Sequence, residues 1–219
     1  MSDKFVRIKK DNQIYYGGDQ KWFSKKRNQS MGCGIIAAAN LMISIGAKSD
    51  QRDTMDYDEY IHLAEELGRR YIHVLPKLGI NGVFLSIGIN WYFRNHHIPI
   101  KTKWGTGRKK IWTEIERMLD ENGAVILAIG PNNFGMFRNK RLPLYVKRGN
   151  TYVCETSTKA HYVSVTGIDD DYLTISSWGK KFYIHKNEFM MYVRKYSNFL
   201  FSNVLVTKTI LQRSNSCME

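Results

Sequence analysis

Cys33-Gly-Ile-Ile-Ala-Ala-Ala-Asn-Leu-Met-Ile-Ser-Ile-Gly46 is the stretch on which the reading of this chain turns. It is apolar on nearly every face and rich in alanine, the pattern of a helix buried on all sides. The segment before it, Asp19 to Gly32, is polar and reads as a loop. The buried helix therefore opens on a cysteine. A helix N-terminus carries partial positive charge and unpaired N–H groups, which favour thiolate and can hold an oxyanion. Gly32 and Gly34 flank the thiol, so the backbone can bend tightly there and leave room for a substrate carbonyl.

Working outward, Lys4 to Gly18 reads as one or two short strands ending at Gly17-Gly18. Asp56-Tyr-Asp-Glu59 has the form of a capping box opening a second helix, with Ile61, Ala64 and Leu67 inward. A third helix is expected over Val83 to Asn95, then a strand from Ile98 to Trp104. Ile111, Trp112, Ile115, Met118 and Leu119 make one face of an amphipathic helix that Gly123 closes. After Gly123 the pattern changes. Ala124 to Ile129, Leu144 to Lys147, His161 to Ile168, Tyr172 to Ser176, Lys181 to Ile184 and Asn203 to Ile210 read as strands, interrupted by a short helix over Lys186 to Tyr196. Helices first and strands later is the α+β order. The expectation is one domain over 1–219: a helical half (about 19–122) packed on an antiparallel sheet (about 123–211), with a polar tail at 212–219.

Composition narrows the function classes. The 219 residues are 43% hydrophobic and carry a net charge of +13. Such a field favours acidic partners, but the basic residues are spread along the chain and specify none. No long uncharged apolar run is present, and the start, MSDKFVRIKKDNQ, lacks the apolar core of a secretion signal; both point to a cytoplasmic protein with no membrane segment. Cys33, Cys154 and Cys217 form neither a disulfide framework nor a zinc spacing. His96-His97, with His62 and His73, shows no recurring ligand spacing, and Gly105-Thr-Gly-Arg-Lys-Lys110 lacks that of a phosphate loop. No metal or cofactor is expected.

A nucleophilic thiol needs a base from elsewhere in the chain. His161 opens the alternating strand His161-Tyr-Val-Ser-Val-Thr-Gly167, where a ring can stand at the rim of a cleft. Cys154 has no helix start before it and reads as structural. Trp178-Gly179 reads as cleft wall or packing.

Asn28-Gln-Ser-Met-Gly-Cys-Gly34, the His161 strand and Ser176-Ser-Trp-Gly179, taken in order, resemble the papain-like cysteine peptidase superfamily. More narrowly they are similar to its bacterial C39-like branch. The resemblance covers roughly Asn28 to Ile184 and implies a papain-like fold in which Cys33 is the nucleophile and His161 the base. It implies Ser176 at the position of the Asn or Asp that orients the histidine; a hydroxyl there can accept the imidazole N–H but supplies no anion. The family's oxyanion glutamine stands about six positions before the cysteine, where this chain has Arg27. Gln29 is the preferred substitute, with Asn28 beside it.

The expected activity is that of a thiol-dependent hydrolase. A Cys33–His161 thiolate–imidazolium pair would act on a peptide or other acyl substrate, acidic ones being favoured by the charge. The same pair would make an acyltransferase if an amine replaced water. Two alternatives stand beside it. One is a papain-like domain that has kept its fold and lost turnover and works as a binding module, which Ser176 and the missing upstream glutamine favour. The other is a basic nucleic-acid binder, resting on the charge and on aromatics such as Trp104, without a recognised motif. Pro131 to Tyr152, rich in Asn, Arg and Lys, is expected to edge the cleft.

Overall fold

Strand residues of alternating parity separate two apolar cores on the two faces of one sheet. The computed structural model describes residues 5–50, 52–76, 79–133 and 139–210. It begins with β1 (Arg7–Lys10) and β2 (Gln13–Tyr15), joined by Asp11-Asn12, both at positive φ as a two-residue hairpin turn demands. A short 3-10 turn at Gln20–Trp22 and helix α1 (Lys26–Met31) occupy the segment expected to be a plain loop. Helix α2 (Cys33–Asp50) follows and opens on Cys33 as expected. β3 (Thr54–Asp56) pairs in parallel with β1, and α3 (Tyr57–Glu66) runs into a π turn at Leu67–Tyr71. The capping box is not formed, because Asp56 ends β3 and its carboxylate makes no cap bond. Next come α4 (Gly82–Asn95), β4 (Ile100–Trp104) and α5 (Ile111–Asn122), the last closed by Gly123 at φ 76°.

The second half carries β5 (Val125–Ile129), β6 (Leu142–Arg148), β7 (Thr151–Thr158), β8 (His161–Ile168), β9 (Tyr172–Ser177), β10 (Lys180–His185), α6 (Lys186–Lys195) and β11 (Leu205–Thr209). Six of these strands form an antiparallel sheet in the order β5-β8-β9-β10-β6-β7, and β11 pairs with β4 in a separate ribbon. The architecture is thus α+β with helices preceding the sheet. The sequence reading lacks β7, an exposed edge strand too polar to show an apolar alternation. Of the segment expected to edge the cleft, 134–138 lie outside the described residues, and β6 with β7 occupies the sheet edge two strands from β9. No described helix is long and apolar enough to cross a membrane.

Tyr162, Ile126 and α2 belong to one core, with Ile35, Ala38 and Leu41 fully buried beneath α3 and α4. Val163, Val165, Leu127 and Ile175 face the other, against α5 and α6. Burial of each such aliphatic side chain is worth roughly 1.5–3 kcal/mol.

One polar residue crosses this apolar seam. Asn40 of α2 is 1% exposed. Its Oδ1 accepts from Gly18 N (3.1 Å) and from the Tyr60 hydroxyl (2.9 Å), and its Nδ2 donates to Ser164 Oγ (3.1 Å) and Ser176 Oγ (3.4 Å). Ser176 passes its own proton to Tyr16 O at 2.6 Å. Gly17 and Gly18 are required here: a Cβ on Gly18 would lie 2.0 Å from the Tyr60 hydroxyl, and one on Gly17, at φ 80°, would lie 2.3 Å from Ser176 Oγ. Asn40→Ala strands the Gly18 N–H in the interior and leaves the Tyr60 hydroxyl only a 3.4 Å bond to Ile36 O, so it is expected to cost roughly 2–4 kcal/mol in urea unfolding. Ser44→Ala, which removes only a hydroxyl bonded back to Asn40 O, should cost clearly less.

Candidate functional site

The start of α2 meets the start of β8. Cys33, half-buried, and His161, buried, line one narrow cavity with Gln20, Asn40, Tyr162, Ser164, Ser176, Ser177 and Trp178. The structure thus brings together Cys33, His161 and Ser176 of the residues the sequence points to. Gln29 and Asn28 do not line the cavity. Gln29 Nε2 donates to Phe23 O at 2.7 Å and so braces the loop before α1.

Gly32 and Gly34 have a role other than the one expected. A Cβ on Gly34 would sit 2.9 Å from Ile80 Cγ2, and one on Gly32 2.4 Å from Asn28 O and 2.7 Å from the Phe23 ring. The chain itself occupies that space, so these glycines serve close packing. Tyr162 completes the contact by donating its hydroxyl to Ile80 O at 3.0 Å.

His161 is held on two sides. Its Nε2 lies 2.8 Å from Ser177 Oγ, and its ring stacks on the Trp178 indole at 4.6 Å and 18°. Trp178 and Gly179 form the turn between β9 and β10, at φ 50° and φ 69°. Two residues at positive φ are what a two-residue hairpin requires, and the indole is thereby set over the imidazole. The turn is pinned from below, Tyr16 N donating to Gly179 O (2.9 Å) and Gly179 N to Gly18 O (3.0 Å).

The partner of His161 is therefore Ser177, where the sequence resemblance put Ser176. Strand parity gives the reason. Ser164 pairs with Ser176, so Ser176 shares the α2 face of the sheet with Ser164, while His161, Val163 and Ser177 share the other. Beyond Val165 the register shifts by one at a bulge, and Gly167 pairs with Thr174. Carried unbroken from the Asp169–Asp171 turn, the register would have placed Ser176 on the histidine's face.

Gln20 brings an amide to the cavity besides that of Asn40, whose own oxygen and nitrogen are engaged. It sits in the 3-10 turn capped by Asp19, and its Nε2 donates to Gln29 O at 2.7 Å, leaving a second N–H on the same nitrogen. Helix α1 lies between Gln20 and Cys33, so a search at fixed short spacing misses it.

The electrostatics differ from the expected ion pair. Burial pushes the Cys33 thiol up, against smaller opposing contributions from the backbone of Tyr162, Gly34 and Cys33 itself. Burial pushes His161 down to about 4. Neither shift has the other group's charge among its causes, and both disfavour the charged form. If Nε2–H donates to Ser177, Nδ1 keeps its lone pair and can act as a base.

Among the described residues no group of three His, Cys, Asp or Glu is placed to hold a metal ion; His96 stacks on Tyr92 at 4.1 Å. Cys154 is exposed on β7, and Cys217 lies outside the described residues. No protein-family model, curated protein or solved structure matches the chain.

A buried neutral imidazole makes stability depend on pH in a definite sense. With the folded value near 4 and the unfolded one near 6.5, the unfolded chain binds the extra proton first. The stabilisation is complete above about pH 6.5 and is lost as pH falls towards 4, by roughly 3 kcal/mol. Unfolding free energies measured across that window should show this slope, and His161→Gln should flatten it.

Proposed function

We propose that this chain is a papain-like thiol hydrolase acting on peptide or other acyl substrates through Cys33 and His161. What carries the reading is the single cavity in which a cysteine opens a buried helix beside a histidine bonded to Ser177 and stacked on Trp178. A neutral resting pair gives the sequence of events. Cys33 Sγ bonds to the substrate carbonyl carbon while its proton passes to His161 Nδ1. The oxyanion takes the Cys33 N–H and the remaining Gln20 amide N–H. Collapse of the adduct breaks the acyl bond, and His161 returns the proton to the departing amine. Water, deprotonated by His161, then releases the acyl group and restores the thiol. Ser177 keeps the ring in one orientation and one tautomer; having no charge, it leaves the imidazolium less stabilised than a carboxylate would.

The raised thiol favours a second reading, a peptide-binding domain of the same fold without turnover. Turnover of a peptidyl-coumarin amide library, abolished by Cys33→Ala, separates the two. Under the first reading Gln20→Ala should lower kcat/KM by about 10²–10³, and Cys33 alkylation should accelerate only above about pH 8.5. Ser177→Ala should lower kcat by about tenfold or more and, by leaving a buried imidazole nitrogen unpaired, lower stability by roughly 1–3 kcal/mol, whereas Ser176→Ala should lower stability by a similar amount and spare kcat. Turnover that survives Cys33→Ala would sink the first reading; absence of turnover with retained peptide binding would establish the second.

A further inference from the structure

Helix α4 is apolar almost all the way round, yet only part of its circumference has a partner. Leu85, Ile89 and Phe93 are buried in the α2 core, and Ser86 and Asn90 bind Thr102 of β4. On the remaining face stand Val83 (50% exposed), Phe84 (58%), Ile87 (55%) and Trp91 (51%). Their spacing puts them in one stripe along the helix. Leu75, in the segment leading to α4, is 51% exposed as well. Four large apolar side chains aligned and open to solvent form a patch of the kind that marks an interaction surface.

The charge around this stripe is mostly of one sign; the carboxylate that acts on α4, Glu66 beside Tyr92, is paired with Arg70 at 3.0 Å. From Leu67 to Thr113 the chain has no Asp or Glu and nine Lys or Arg. The net +13, spread over the chain at first sight, is therefore concentrated in the part that builds α4 and its neighbours. Arg94 ends the stripe on α4 itself and is exposed. Lys101 and Lys103, also exposed, alternate with Thr102, whose backbone N–H and carbonyl are both held by the Asn90 side chain, and so stand on the face of β4 turned away from α4. On the other side Tyr71 meets Trp91 edge-on at 5.4 Å, and exposed Arg69 lies two residues before Tyr71. Among the described residues none of these four cations has a carboxylate partner.

We infer that this face docks on an anionic lipid surface, with the α4 stripe entering the interface and the surrounding cations meeting headgroup phosphates. An apolar helix stripe bearing a Trp, ended by Arg94 and neighboured by Arg69, on a part of the chain with a net positive charge matches both components of interfacial binding, burial of apolar area and attraction to anionic lipid. The stripe lies on a convex helix surface, and its aliphatic members, Val83 and Ile87, offer nothing for a nucleobase to stack on. Both facts favour a lipid layer over a nucleic acid or a peptide groove. The inference is independent of what Cys33 does.

Vesicle co-sedimentation of the full chain tests it. Binding is expected to phosphatidylcholine vesicles with about a third phosphatidylglycerol and not to phosphatidylcholine alone, weakening as salt rises. Phe84→Ser with Ile87→Ser should reduce partitioning by at least about tenfold, with the melting temperature and Cys33 alkylation unchanged. Lipids brominated on the acyl chain should quench tryptophan emission of the bound wild type, and Trp91→Phe should remove most of that quenching. No binding to the anionic vesicles at low salt would overturn the inference. So would equal binding by the double variant, absence of quenching, or displacement from vesicles by polyuridylate or polyglutamate of matched charge.

Discussion

The side-chain amide of Asn40 is the point on which the rest of the molecule depends. Four hydrogen bonds satisfy both its oxygen and its nitrogen in a place that water does not reach. An unpaired amide there would cost several times what a single hydrogen bond contributes, so the four partners are constrained together. Through Gly18 it fixes the chain after β2, through Tyr60 it fixes α3, and through Ser164 and Ser176 it fixes two neighbouring strands. It lies two helical turns below Cys33, so the thiol and the histidine strand are set by one rigid joint. The apolar cores on either side supply stability, and this joint ties α2 to two strands of the sheet by directed bonds.

That joint also bears on the charge of the thiol and the imidazole. The burial that comes with α2 meeting β8 disfavours charge on the half-buried Cys33 and on the buried His161. The dipole of α2 works in the opposite direction, yet desolvation is the larger effect.

Much of this was legible in the sequence, for identifiable reasons. The run from Cys33 to Gly46 is so uniformly apolar that its helix and its burial follow directly, and a cysteine at its first residue stands out. The alternation after His161 gives β8, and Gly123 gives the end of α5. Legibility fails wherever a count along the chain is broken. The bulge after Val165 moves the register by one and exchanges Ser176 for Ser177 at the histidine. Helix α1, only six residues long and without a side-chain cap, separates Gln20 from Cys33 and hides an amide that reaches the cavity. Strand β7 is polar on both faces and has no period to detect. The Asn40 network leaves no local pattern either, because its members are brought together only by the fold.

The spacing of those members along the chain bears on synthesis. Asn40 and Tyr60 emerge early from the ribosome, whereas Ser164, Ser176 and the Trp178-Gly179 turn emerge near the end. A nascent chain that has not reached His161 holds α2 with its buried amide half-satisfied and its cysteine without a histidine. The first segment, Tyr16 to Gly18, must wait for the last strands before its own backbone bonds can close. Contacts of such separation are slow to form and bind the two ends of the chain into one cooperative event. The thiol is therefore assembled late and all at once, so an incomplete chain carries a helix but no site.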